Sequence, residues 1–165
     1  ARDVDYLTWR YLKHPVFRYR LIGASDGKPT GLLIWRLERI YHRTPQGVDE
    51  VDRIGRLVEF LPTSSDNANQ LLTSFTRELW NSRALGADFY GYHSQIRQWL
   101  QEFGFRSVTG HPEGQMIPSR FQPLDGRGGG ICSAFIAPNT VPVCGLDSGC
   151  SWYWTKSDAD QDRPN

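Results

Sequence analysis

"VEFLPTSSDNANQLLTSFTRELW", residues 58–80, changes its hydrophobic period midway, and that change decides the fold. Up to Pro62 the residues Val58, Phe60 and Leu61 read as the end of a strand. After the polar loop, Ala68, Leu71, Leu72, Phe75 and Leu79 recur at i, i+3, i+4, i+7 and i+11. That stripe predicts an amphipathic helix over 66–85. Ser64, Ser65 and Asp66 are its candidate N-caps, and Gly86 its left-handed terminator. A strand that turns directly into a helix aims backbone N–H groups away from the sheet, an arrangement that can hold a phosphate. Helix capping explains the same small polar residues without any ligand.

Upstream, Val4, Leu7 and Tyr11 lie at helical spacing, with Asp3 as N-cap and Pro15 as a stop. "FRYRLIGASDGKPTGLLIWRLERIYH" predicts two strands about a turn at Asp26–Gly27. The second is continuously apolar from Leu32 to Trp35, the mark of burial on both faces. "TPQGVDE" reads as a loop and "VDRIGRLVEFLP" as a third strand. Downstream, "ADFYGYH" reads as a short strand. Ser94 caps a helix that turns Ile96, Trp99, Leu100 and Phe103 inward and stops at Gly104. "FRSVTG" and "GICSAFIAP" are further expected strands, and "SWYWTKSDADQDRPN" opens as an aromatic strand-like piece. The segment between Gly110 and Gly130 is rich in Gly and Pro and reads as loop. Helix, three antiparallel strands, helix, strand, helix, two strands: this order predicts an α/β (α+β) fold, a mixed sheet with helices on both faces.

The 165 residues, 39% of them hydrophobic, suffice for one globular domain over 1–165. Nineteen basic against eighteen acidic residues leave a net charge of +1, and no basic run marks a nucleic-acid surface. No apolar run reaches the ~20 residues of a membrane span. With no leader-like start and an odd number of cysteines (Cys132, Cys144, Cys150), reduced thiols and a cytoplasmic setting are expected. Those cysteines and His111 have no compact metal-ligand spacing, so no metal is expected. Cys132, in an apolar stretch, reads as a small core residue. The only methionine is Met116. Processing to Ala1 accounts for that, and so does a piece cut from a longer chain.

The order of elements, with "HSQIRQWLQEFGF" (93–105) and its Gly104–Phe105 pair, resembles the GCN5-related N-acetyltransferase (GNAT) family over roughly residues 3–137. The resemblance implies an acyl-CoA N-acyltransferase-like sheet. In that family the strands before and after the third helix run parallel and then splay, with the thioester of coenzyme A in the gap. It implies acetyl-CoA or another acyl-CoA as cofactor, held around Leu61, Thr63, Ser65, Asn67 and Ala68. It also implies that the family's first strand and helix precede Ala1, so that the chain is a fragment. "TSSDNANQLL" falls where the family has its pyrophosphate loop. Counting back from Leu71–Leu72, Ala68 matches the last small position, while Asp66 stands at the glycine position and Thr63 at the Gln/Arg position. Leu100 stands where the family commonly has the tyrosine that protonates the departing thiolate. The tail "WTKSDADQDRPN" looks like that of bacterial two-domain GNAT-like proteins of surface polysaccharide pathways. That implies an amino sugar as the small acceptor, and an upstream GNAT-like domain or a second subunit as partner.

Glu59 is the candidate base for the attacking amine. Its structural alternative is an ion pair with Arg36, Arg39 or Arg56 across the sheet. His93, at the C-terminal end of a strand, is a second candidate base or a flank of the helix that follows. Tyr92, or Tyr90 beside it, is a candidate replacement acid or a packing residue. Against the acyltransferase expectation stand a non-catalytic GNAT-like binding module with a degenerate cofactor loop, and a transferase using another activated donor.

Overall fold

The computed structural model describes residues 2–43, 45–47, 49–107 and 154–155. Strands β1 (Tyr19–Ser25) and β2 (Pro29–Arg43) meet at the expected Asp26–Gly27 turn. Gly27 takes φ +69°, a conformation open to glycine at little steric cost, and the Asp26 N–H donates to the Lys28 carbonyl at 3.1 Å. β2 pairs antiparallel with β3 (Asp49–Pro62), and β3 pairs parallel with β4 (Gly86–Phe89). The order β1-β2-β3-β4 makes a mixed four-stranded sheet in an α+β chain. The loop expected over 44–50 gives way earlier than read: β3 has begun by Asp49, which pairs with Arg43.

Helices cover both faces of this sheet. α2 (Ser65–Asn81) packs on one face, to which alternation along β2 turns Gly31, Leu33 and Trp35. Trp35 meets Phe75 edge-on at 5.2 Å between ring centres, and both are buried with Leu33, Leu57, Phe60, Leu71 and Leu72. Each such side chain contributes about 1.5–3 kcal/mol through its burial. Gly31 is required by close approach, because a Cβ there would lie 2.0 Å from Asn67 Oδ1. The other face carries α1 (Val4–Leu7), which widens into a π-helical turn over Thr8–Leu12. Asp3 caps α1 as expected, its carboxylate accepting the Tyr6 N–H at 2.8 Å. Tyr11 of the wide turn packs with Ile34 and Val58, and Tyr6, Leu7, Tyr19 and Leu32 surround them.

β2 and β3 slip register once. Ile34 stands opposite Glu59 and Trp35 opposite Leu57, so Val58 is the extra residue of a β-bulge. The bulge turns Val58 and Glu59 toward Tyr11 together. It also marks the end of the parallel ladder. β4 pairs with Ile54–Leu57 and stops at Phe89, while β3 runs on to Pro62, paired among the described residues with β2 alone.

Of the three candidate caps of α2, Ser64 serves: its Oγ accepts the Asn67 N–H at 3.2 Å. Two other helix-end expectations are corrected. Gly86 does not end α2 but opens β4, and Arg83 takes the left-handed position at φ 52°. The Arg83 N–H donates to the Trp80 carbonyl and the Ala84 N–H to the Leu79 carbonyl, closing a Schellman motif that fixes the end three residues before the glycine. His93, not Ser94, caps α3 (Ser94–Phe103). Gly104 stops α3 as expected, at φ 113°.

The chain divides at Tyr90/Gly91 into two compact units, one running up to Tyr90 and taking in Thr155, the other running from Gly91 to Trp154. The single strand expected at "ADFYGYH" breaks there into β4 and β5 (Gly91–Tyr92), and β5 pairs with β6 (Trp154–Thr155) in a sheet of its own. Residues 105–107 of "FRSVTG" are not strand. Its remainder, "GICSAFIAP", the three cysteines, His111 and the polar tail lie outside the described residues.

Candidate functional site

Two buried polar groups occupy the sheet face opposite α2, and a third closes the start of α2. The first group centres on Glu59, which is fully buried. Tyr11 donates its hydroxyl to Glu59 Oε1 at 2.7 Å, and Arg2 Nε lies 3.0 Å from each carboxylate oxygen. Glu59 thus pairs with an arginine from the segment before α1, one that the sequence did not point to. The reason is the bulge: it turns Glu59 up under the N-terminal helix.

The second group is an ionic cluster at the paired end of the β3–β4 ladder. Glu38 Oε2 accepts from Arg36 Nη1 at 3.0 Å and from Arg56 Nε at 2.9 Å, and Arg56 Nη1 donates to Asp88 Oδ2. The side chains of Arg36, Glu38 and Arg56 are at most 5% exposed. The Arg36 guanidinium lies over the Phe17 ring at 3.9 Å. Glu38 Oε1, also buried, has no hydrogen-bond partner among the described residues. Arg36 and Arg56 thus line a sheet face in ion pairs with Glu38 and Asp88.

Tyr90 follows β4 two residues after Asp88. Burial, reinforced by the Asp88 carboxylate and opposed by Arg56, pushes its phenol up to about 12. In the unfolded chain a tyrosine titrates near 10. Because the folded value is the higher, the contribution is complete below pH about 10 and is lost as pH rises through about 12. Urea midpoints measured from neutral to strongly alkaline pH should fall across that window, and Tyr90→Phe should shallow the fall.

The third group ties Thr63, Asn67 and Thr30 together. Asn67, 5% exposed, accepts the Thr63 N–H on Oδ1 at 3.3 Å and donates Nδ2 to Thr30 Oγ1 at 3.1 Å. Thr63 Oγ1 donates to the Thr30 carbonyl at 2.6 Å. The backbone N–H groups of Thr63 and Asn67, which a phosphate at this end would draw on, therefore already donate to side chains of the chain itself. Asp66 stands exposed in the first turn, where its charge suits the helix dipole and opposes an incoming anion.

The remaining expected cofactor residues scatter around this end. Leu61 is half-buried and paired with Leu32, Ser65 is exposed, and Ala68 is buried in the core. His93 belongs to the second unit. Its Nδ1 accepts the Ile96 N–H at 3.4 Å, which spends that nitrogen's lone pair on helix capping. Tyr92 lies in β5, and its side chain is outside the described atoms. As site residues the sequence reading missed Arg2, Tyr11 and Thr30. The signal available for Tyr11 was its place in the helical stripe with Val4 and Leu7, which continues into the π-helical turn, and for Arg2 and Thr30 there was none.

Among the described residues no group of three or more His, Cys, Asp or Glu side chains could hold a metal ion, and no helix is long and apolar enough to cross a membrane. Comparison of the chain with protein-family models, curated proteins and solved structures finds no match.

Proposed function

We propose that the chain is a GNAT-like N-acyltransferase domain that moves an acyl group from acyl-CoA to an amine of a small acceptor, with the amino sugars of bacterial surface polysaccharides as the acceptor class. The observation that carries this reading is the parting of the parallel pair: β3 and β4 run together from Ile54 to Leu57 and then stop pairing at the bulge. In the family that the sequence resembles, the thioester lies in such an opening. Backbone N–H groups of β3 beyond Leu57 would polarise the thioester carbonyl. The amine nitrogen attacks the carbonyl carbon, the C–N bond forms, and the C–S bond breaks to release a thiolate. Glu59 is the base in this scheme.

A second reading is favoured by the start of α2. Side chains of Ser64 and Asn67 take up backbone donors there, and Asp66 supplies a negative charge where a pyrophosphate would bring more. On that reading the chain is a non-catalytic GNAT-like module that binds an acceptor or packs on an upstream GNAT-like domain or a second subunit.

Calorimetry with acetyl-CoA separates the two. Heat saturating in the micromolar range is the expected result for the acyltransferase. Absence of heat at high micromolar ligand would leave the module.

A further inference from the structure

β1 stands at the edge of the sheet, and among the described residues its one neighbour is β2. The outer side of an edge strand presents N–H and C=O groups with which a further strand can pair, and folds commonly guard it with lysine, proline or a covering element. Along its regular stretch β1 has no such guard. Leu21 and Gly23 are exposed, and the bulge falls at the end of the strand, between Ala24 and Ser25. The one charge, Arg20, is turned onto the Trp35 ring and toward Glu78 and Ser82 of α2. The order of side-chain sizes along β1 sets what fits there. Tyr19, Arg20 and Leu21 are large, Ile22 is the centre, and Gly23, Ala24 and Ser25 are small. Laid antiparallel against itself about Ile22, the strand puts Tyr19 opposite the partner's Ser25, Arg20 opposite the partner's Ala24 and Leu21 opposite the partner's Gly23. Each large side chain then meets a small one on the same face of the joined sheet. The two Arg20 side chains are four strand positions apart, ~13 Å, so no like charges meet. The fit is closest at Leu21. Its side chain is 39% exposed, and the space where a Cβ of Gly23 would point holds no atom within 4 Å.

We propose that β1 pairs antiparallel with β1 of a second copy of this chain, about a two-fold axis at Ile22, and so joins the two sheets into one continuous sheet. A two-fold interface has to be complementary to itself, and the large and small halves of β1 meet that condition. Beside this edge α2 lines a groove of about 500 Å³ with Asn69, Gln70, Thr73 and Arg77, all exposed, which gives the joined strands a polar rim. The two β4 strands become the outer strands of the joined sheet, so each opening beyond Leu57 stays at the far side from the axis. The pairing does not depend on the acyl-transfer reading.

Sedimentation equilibrium of the 165-residue chain should show a monomer–dimer equilibrium with a micromolar dissociation constant. The outward-facing amides of β1 should gain protection from hydrogen exchange as the dimer forms. Gly23→Leu fills the space that the partner's Leu21 takes. It should weaken the dimer about 100-fold, because two symmetric contacts are lost, and leave the melting of the monomer nearly unchanged. Leu21→Lys, which sets a charge on the edge, should weaken it as much. Combining Leu21→Gly with Gly23→Leu exchanges the large and the empty position and should bring the dimer back to within about 10-fold of the wild type. Should one of the single variants not fold, the other decides. A monomer at every concentration overturns the proposal, and if its β1 amides are already protected, another segment of the chain holds this edge. A dimer that neither single change weakens uses a different surface and overturns it too, as does a folded double variant that associates no better than Gly23→Leu.

Discussion

Arg56→Ala is expected to destabilise the chain by about 3–5 kcal/mol, because it removes one partner from a buried charge cluster and leaves the others. In a chain of this size that corresponds to a fall in melting temperature of roughly 6–20 °C. Glu38 would keep Arg36, but Asp88, 12% exposed in its side chain, would lose the guanidinium that bonds it. The damage should concentrate on β4. That strand has only four residues, stands at the edge of the sheet, and is tied to β3 by a ladder in which Arg56 and Asp88 are direct cross-strand partners. Any chemistry in the opening beyond Leu57 should decline together with stability, since the opening is defined by where β4 leaves off. The informative contrast is Arg56→Met with Asp88→Leu, which removes both charges and should recover a large part of the loss. Urea midpoints at unchanged m-value are the measurement. A cost below about 1 kcal/mol for Arg56→Ala would mean that the cluster behaves as an exposed ion pair.

The course of the sheet was legible because its signals are local. Asp26–Gly27 fixes the first hairpin, the run Leu32–Trp35 marks a strand buried on both sides, and the stripe from Ala68 to Leu79 gives α2 its inner face. Helix ends were less legible, since several residues at each end can cap. Ser64 and Asp66 offer the same chemistry one turn-step apart, and hydrogen-bond geometry alone chooses between them. Gly86 looked like the terminator of α2, but Arg83 accepts a left-handed backbone once the Schellman bonds are in place. The polar groups were the least legible part. Glu59 stands out as a carboxylate between Val58 and Phe60, yet its partner is 57 residues away in sequence, and a one-residue bulge decides which helix it meets. The bulge reverses the facing of every β3 residue beyond Val58, but only the four residues 59–62 follow it there, too short a run for hydrophobic periodicity to reveal the slip.

Trp35→Ala is expected to cost about 3–5 kcal/mol, the range for removing a large aromatic side chain from a closed core. Three elements meet on this one ring. Phe75 of α2 packs against it edge-on, Leu57 of β3 is its cross-strand neighbour, and the Arg20 guanidinium of β1 lies over it at 4.8 Å. Trp35 is fully buried, so the vacated space has no route to collapse that does not move α2 away from the sheet. Arg20 would lose its aromatic platform while keeping its contacts to Ser82 and Glu78 at the far end of α2. Trp35→Phe should behave quite differently. The indole Nε1 is buried without a hydrogen-bond partner among the described residues, so phenylalanine forfeits volume and ring contact but no hydrogen bond, and it removes a donor whose burial is itself unfavourable. The loss with phenylalanine should therefore stay within about 1.5 kcal/mol. Equilibrium unfolding of the two variants tests this directly: equal losses would mean that the Nε1 donor is satisfied in solution, and a small loss for Trp35→Ala would mean that α2 does not depend on this contact for its seat on the sheet.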